Sequence, residues 1–394
     1  MPSAPGSTAG RSSSLRTAIA GAGMIGRVHL DAVRRSGAPV VGISASTPAR
    51  AKEAAAALGV ERAFDSSEAM VTSDDVDVVH ICTPNDAHAR LAVLALRAGK
   101  HVVCEKPLTT SADAAGTLAA LAADSGRVAA VPFVYRYHPM AAEARARVLD
   151  GRAGDVRLLH GHYLQDWLSL PGDTNWRVDA VTGGPSRAFA DIGSHWCDLV
   201  EWVTGHRIAD LTAVTQTVPR HGADGPPPVR AAGPEAQRQA AGAGRPATED
   251  AVQLLFRTDQ GATGALTVSQ ISPGRKNRLW FEVDGARTSL AFDQENPESL
   301  FVGSRGENTT PLREPALLSP AAARLSTVPG GHPMGYLDCF AAFVRDVHAA
   351  IRGDGDGDGG RPAALPTFDD AARMVRLTET VLDSAAQRSW KEVS

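Results

Sequence analysis

Between Leu15 and Pro132, short apolar runs alternate with longer stretches rich in alanine and leucine. This is the pattern of repeated strand-helix-strand units whose strands are buried on both faces. Strands are predicted at 16–20, 40–45, 76–83, 101–105 and 128–134, and helices at 26–36, 48–58, 88–98 and 111–125. The natural solution is a doubly wound parallel sheet. Beyond Asp155 the texture changes. Strand-like runs at 156–164, 250–257, 264–269 and 279–283 follow one another with turn residues between them, which predicts a largely antiparallel sheet. Helical periodicity at 188–203, 336–351 and 369–386 makes this second part an α+β domain.

A chain of 394 residues exceeds what one hydrophobic core usually supports. Two domains are therefore expected, over 15–138 and 139–394, with the helix at 369–386 packing back on the first. Residues 1–14 are polar and small, without the apolar stretch of a secretory signal, and read as a disordered tail. Residues 219–247 are dense in Pro, Gly and Ala and too poor in large apolar side chains to offset their ordering entropy, so a flexible insertion is expected there.

Composition narrows the partners. A 43% hydrophobic and 21% charged chain is globular, and a net charge of −4 without a basic stripe offers no footprint for nucleic acid. No apolar run reaches the length of a membrane span. Cys82, Cys104, Cys197 and Cys339 are widely separated, the pattern of reduced thiols in a cytoplasmic protein. The acidic run from Asp354 to Gly360 superficially suggests a calcium loop, but Leu365 stands where a bidentate glutamate is required. It reads as a solvated loop.

Candidate chemistry begins at Gly21-Ala22-Gly23-Met24-Ile25-Gly26, which follows a predicted strand and opens a helix. In that context the glycines permit a tight turn, close approach of backbone to a pyrophosphate and tight helix-strand packing, with the helix N-terminus facing the phosphates. The cofactor expected is NAD(P). At the end of the second strand, where a carboxylate would bind the adenosine ribose, stand Ala45, Ser46 and Thr47, with Arg50 a turn later. NADP is thereby permitted or preferred. Thr83-Pro84-Asn85, with His88 one turn on, closes another strand and is placed to wall the nicotinamide side of the crevice; for His88 a structural hydrogen bond is an equal alternative.

Glu105-Lys106-Pro107 ends the next strand, and Pro107 restricts Lys106 so that its ammonium points into the crevice, where it can anchor a hydroxyl or stabilise an alkoxide. Asp191 and His195 lie four apart, hence on one face of a helix start, with Asp198 three further on. A capping acid and a core histidine are the structural alternative. A base near neutral pKa is what oxidation of a secondary alcohol requires, and His195 fits it, with Asp191 orienting the imidazole or contacting substrate. Tyr163, Gln165 and Trp167 alternate on one strand face and suit a pyranose or inositol ring, the alternative for Trp167 being a core aromatic. His160 and His162 share a face, but no third ligand stands at matching spacing, so no metal site is expected.

GAGMIG, CTPNDAH, CEKPL, YRYHP and DIGSHWCD, in this order, resemble the glucose-fructose oxidoreductase / inositol dehydrogenase / rhizopine catabolism (Gfo/Idh/MocA) family over nearly the whole chain after the tail. The resemblance implies a Rossmann domain followed by an α/β domain with an open, mainly antiparallel sheet, and carries over Lys106, Asp191 and His195 as catalytic residues. Within the family the chain looks similar to levoglucosan-dehydrogenase-like and inositol-dehydrogenase-like members, which marks Tyr135, Arg136, Trp176 and Arg177 as further substrate-side positions. The expected partner is a sugar or cyclitol. Tyr137 departs from the family pattern, as a second arginine often follows Arg136, and so does the missing ribose carboxylate. Two alternatives stay open, a biosynthetic ketosugar reductase and a catalytically silent NAD(P)-binding sensor. A large open sheet face further predicts a homodimer or homotetramer.

Overall fold

The computed structural model describes residues 15–170, 172–173, 175–218, 248–357 and 360–393. The expected tail (1–14) and the expected insertion (219–247) therefore lie outside the described residues.

The first sheet is entirely parallel. Its strands are β1 (Thr17–Ala20), β2 (Val40–Ser44), β3 (Arg62–Ala63), β4 (Val78–Ile81), β5 (His101–Cys104) and β6 (Ala129–Ala130), ordered 3-2-1-4-5-6. Helices α1 (Met24–Arg35), α2 (Pro48–Leu58), α3 (Ser67–Val71), α4 (His88–Arg97) and α5 (Ala112–Ser125) connect them. β1 and β4 are buried along their whole length, as continuous apolar runs require. The order reverses beside β1, so the crevice above β1 and β4 is the ligand-binding switch point of such a sheet. Two short elements, β3 and α3, lacked a detectable period. The apolar run at 128–134 pairs only at β6, because the chain turns into a 3₁₀ turn at Val134–Tyr137.

The second sheet has nine strands, with order β14-β13-β12-β11-β7-β10-β9-β8-β15. They are β7 (Val156–Leu164), β8 (Ile208–Gln216), β9 (Ala251–Thr258), β10 (Thr263–Ser269), β11 (Arg278–Gly285), β12 (Ser289–Asp293), β13 (Phe301–Gly303), β14 (Asn308–Thr309) and β15 (Lys391–Glu392). Neighbours run antiparallel except β7 and β10, which are parallel, so the sheet is mixed but mostly antiparallel. One face carries the alternating core residues, including Leu159, Tyr163, Phe281 and Phe256; the other carries polar and half-buried side chains.

Helix α6 (Pro139–Leu149) leads into this domain, and α8 (Ser194–Thr204), after a short α7 (Ala180–Gly183), packs on the core face. The seat of α8 is specific. Trp196 is wholly buried and donates its indole N–H to Trp280 O at 2.9 Å. It fits because β7 carries Gly161, where a Cβ would stand 2.6 Å from that indole nitrogen and 2.2 Å from Trp280 O. Three further helices follow, α9 (Pro320–Ala323), α10 (Tyr336–Arg352) and α11 (Phe368–Gln387). Helix α11 packs against α5, and Glu379 accepts a hydrogen bond from Ala112 N at 2.8 Å.

Arg136 knits these parts together. Its guanidinium pairs with Asp198 on α8 and lies 3.4 Å from Asp370 on α11, all three being largely buried. The substrate-side position expected for Arg136 is thus corrected, because its charge is committed to two internal acids. Burial pushes Asp198 up to about 7 against the pull of Arg136. Removing one member of a buried ion pair leaves an uncompensated charge, so Arg136→Met is expected to cost about 3–5 kcal/mol of folding stability. Urea unfolding at neutral pH checks this; an unchanged midpoint would contradict it.

Candidate active site

At the turn after β1, Gly21 has φ +107°, and a Cβ there would lie 2.4 Å from Cys82 O. A Cβ on Gly26 would reach within 1.9 Å of Gly21 O. A Cβ on Gly23, in contrast, would meet nothing within 4 Å among the described residues. It precedes α1, whose N-terminus has no side-chain cap and no acid in its first turn, whereas α2, α3 and α5 are capped by Thr47, Ser66 and Ser111. Met24 is exposed beside it and Ile25 is half-buried. The donors of this helix end are left for an external anion, and the glycine turn leaves room for one, which fits a dinucleotide pyrophosphate.

β2 ends without a carboxylate. Thr47 Oγ1 accepts from Arg50 N at 3.2 Å, and Arg50 Nη1 donates to Ser46 Oγ at 3.1 Å; all three residues are exposed, next to Ala45. At the end of β4, Asn85 turns away to donate to Gly183 O at 2.9 Å, so the Thr83-Pro84-Asn85 turn reaches the second domain. His88 is buried with its ring nitrogens 2.9 Å from Thr83 O and Pro107 O. It takes the structural alternative, holding this turn against the one after β5.

Glu105 at the end of β5 is also buried. It bonds His29 Nε2 at 2.9 Å and accepts from Lys106 N, and His29 Nδ1 lies 2.8 Å from His80 Nδ1. Burial works against the Glu105 carboxylate, but His29 and Lys106 hold it below its ordinary range. The next peptide, Lys106-Pro107, is cis.

Lys106 bridges the two domains. Its Nζ donates to Asp191 Oδ1 at 2.7 Å and to Asp191 O at 2.9 Å. Arg177 Nε lies 3.5 Å from the same Oδ1, and Gln270 Nε2 donates to Oδ2 at 2.8 Å. Burial opposes ionisation of Asp191, but Lys106 and Arg177 outweigh it and hold the carboxyl well below the usual range. Asp191 sits in a π-helical turn, Phe189–Gly193, that precedes α8. This departs from a regular helix start, and the carboxylate's recorded bonds go to Lys106 and Gln270 rather than to the imidazole of His195.

His195 is buried edge-on to Phe133 and Tyr135, with ring centroids 5.6 and 5.0 Å away. Burial, reinforced by the Lys106 charge, pushes its pKa down to about 3. It is a neutral imidazole at neutral pH, and its Nδ1 has no hydrogen-bond partner among the described residues. This departs from the base near neutral pKa expected from the sequence, because burial and the Lys106 charge both disfavour the protonated imidazole.

The aromatic strand positions converge through a residue absent from the sequence reading, Asn277. Tyr163 OH and Gln165 Nε2 donate to Asn277 Oδ1 at 2.7 and 2.8 Å, and Trp167 Nε1 donates to Gln165 Oε1 at 2.8 Å. Tyr135 OH lies 2.5 Å from Tyr163 OH. Arg177 stacks over Trp176 at 4.4 Å on the way to Asp191. Gln270 was missed too: fully buried, its Oε1 has no partner among the described residues. Neither Asn277 nor Gln270 stands in a motif; the polar break after the apolar run of β10 was the one local signal for Gln270. Tyr137 is buried against Phe343. No helix among the described residues is long and apolar enough to cross a membrane.

Residues 15–133 match the model of an oxidoreductase family with an NAD-binding Rossmann fold, and 141–291 match the GFO/IDH/MocA C-terminal domain. The chain is 28% identical over 362 residues to the levoglucosan dehydrogenase of Pseudarthrobacter phenanthrenivorans, covering 89% of this chain and 88% of that one. A solved oxidoreductase domain protein from Kribbella flavida superposes with a TM-score of 0.83 at 31% identity, covering 97% of this chain and 99% of that one. An inositol dehydrogenase homolog from Azotobacter vinelandii, solved with NADH and myo-inositol, superposes with a TM-score of 0.84 at 27% identity, over 97% and 98% of the two chains. With a glycine turn fitted to a dinucleotide and a lysine, acid and neutral histidine gathered beside it, the chain belongs to the Gfo/Idh/MocA family of NAD(P)-dependent sugar and cyclitol oxidoreductases.

Proposed function

We propose that this protein interconverts a secondary alcohol and its ketone on a sugar, glycoside or cyclitol, with His195 as the acid-base group and Lys106 polarising the reacting oxygen. The observation that carries this reading is the bridged Lys106–Asp191 pair beside a neutral, buried His195 that feels the charge of both. The nicotinamide of a bound NAD(P) would supply the hydride acceptor or donor. His195 takes the hydroxyl proton in oxidation and returns it in reduction. Lys106 stabilises charge on the oxygen as that proton leaves, in a site whose burial strengthens the effect. Asp191, held by Gln270 and Arg177, fixes where the ammonium sits. Tyr163, Gln165 and Trp167, joined through Asn277, offer a rigid polar and aromatic wall suited to a hydroxyl-rich ring.

Lys106→Ala and His195→Ala are each expected to lower kcat/KM by about 10²–10⁴-fold on a sugar or cyclitol that the wild type turns over. Initial rates of nicotinamide absorbance change across such a panel check this. Near-normal turnover in either variant would overturn the assignment.

The cofactor-side reading has its own test. We infer that NADP is accepted alongside NAD, since Ser46, Thr47 and Arg50 offer donors where a repelling carboxylate is lacking. Fluorescence titration is expected to find NADP binding at least as tight as NAD, whereas strong NAD selectivity would refute it. In the same titration Gly23→Ala, whose Cβ enters open space, is expected to weaken both cofactors by at least about tenfold with the thermal midpoint unmoved. Unchanged binding would remove the pyrophosphate from this turn.

A further inference from the structure

The face of the second sheet turned away from the core carries a cluster that belongs to no part of the site above. β7 and β11 pair antiparallel with His160 directly opposite Glu282. Strand alternation brings Asp284 to the same face two residues on. One ligand atom from each of the three lies within 4.8 Å of the others. His160 Nε2 and Asp284 Oδ2 are 3.5 Å apart, close to the ~3.4 Å separating two ligands on a tetrahedral ion with bonds of about 2.0–2.1 Å. The absence of a third ligand near His160 in the linear sequence is thus made good across the strand register. We propose that His160, Glu282 and Asp284 form a divalent-cation site of the zinc type.

Three observations support the assignment. The first is charge. Elsewhere on this face acids are matched with guanidinium groups, Asp293 with Arg278 at 3.1 Å and Asp210 with Arg257 at 3.3 Å. Glu282 and Asp284 have no Lys or Arg ion pair among the described residues, where His160 is the one ion-pair partner, of Asp284.

The second is orientation. Ser289 Oγ donates to Asp284 Oδ1 at 2.5 Å, leaving Oδ2 as the oxygen beside His160. A hydrogen bond on the non-ligating oxygen is how outer residues fix a metal-binding carboxylate. The third is space. Glu282, though neither His160 nor Asp284, also lines a cavity of about 350 Å³ with Arg287, Ser289, Phe301, Arg305 and Asn308, so the Glu282 edge of the cluster opens onto room for water or a small anion. An imidazole with two carboxylates selects zinc over magnesium or calcium, which favour all-oxygen shells.

Tyr163 and Leu159 of β7 face the core, opposite to His160, so this ion sits on the far side of the sheet from the cleft. Its loss is expected to leave turnover unchanged. The test is equilibrium dialysis of the chelator-treated full chain against zinc chloride, with metal content read by mass spectrometry. The wild type is expected to retain one zinc per chain. His160→Gln and Asp284→Asn are each expected to weaken zinc binding by at least about 100-fold, and Ser289→Ala by about tenfold through the lost orienting bond. Cobalt(II) added to the wild type should give visible absorption bands that His160→Gln abolishes while its thermal midpoint in chelator matches wild type. Wild-type protein that retains no zinc, or zinc uptake undiminished in His160→Gln and Asp284→Asn, would overturn the proposal.

Discussion

The contact between Lys106 and Asp191 is the constraint on which the rest of the molecule depends. One partner follows a strand of the parallel sheet and the other sits in the turn that opens α8, so this 2.7 Å contact ties the two domains together at the crevice. Both side chains are mostly shielded, which weakens screening but also makes desolvation costly. The pair is therefore better understood as a positioning device than as a source of stability. The Gln270 amide and the Arg177 guanidinium complete the acid's coordination, and burial, reinforced by the fixed positive charge, keeps the neighbouring imidazole neutral.

Much of the surrounding structure secures the two ends of that contact. On one side, His88 ties the turn after β4 to the carbonyl of Pro107, and His29 holds Glu105 from α1. On the other, α8 is seated by Trp196 over Gly161 and anchored by Arg136 through Asp198. The cofactor end differs in kind. There the chain leaves a helix N-terminus uncapped and a glycine facing open space, features that cost local stability and make sense as provision for an anion.

What was legible in the sequence is what is local. Each strand-turn-helix signal of the parallel sheet lies within about a dozen residues, so hydrophobic period and glycine placement were enough to locate β1, α1, β4 and β5. The same holds for the Lys106 and His195 motifs. What stayed hidden depends on register between distant strands. Gln270 and Asn277 reach Asp191 and Tyr163 from strand ends 79 and 114 residues away, and Glu282 meets His160 across a ladder. The i,i+4 relation of Asp191 to His195 misled because a π-helical turn intervenes, a backbone choice set by packing rather than by residue propensity. Arg136 misled because its bonds are to helices encountered much later in the chain.

The central claim is that burial and Lys106 together keep His195 unprotonated at neutral pH. Nuclear magnetic resonance titration of imidazole-labelled protein, with the His195 signal assigned from the His195→Gln variant, measures this directly. The account predicts a His195 resonance that remains neutral from pH 8 to below about 5 and that titrates at a higher pH in Lys106→Met. A His195 that titrates near the ordinary value of about 6.5, unmoved by loss of the lysine, would contradict it.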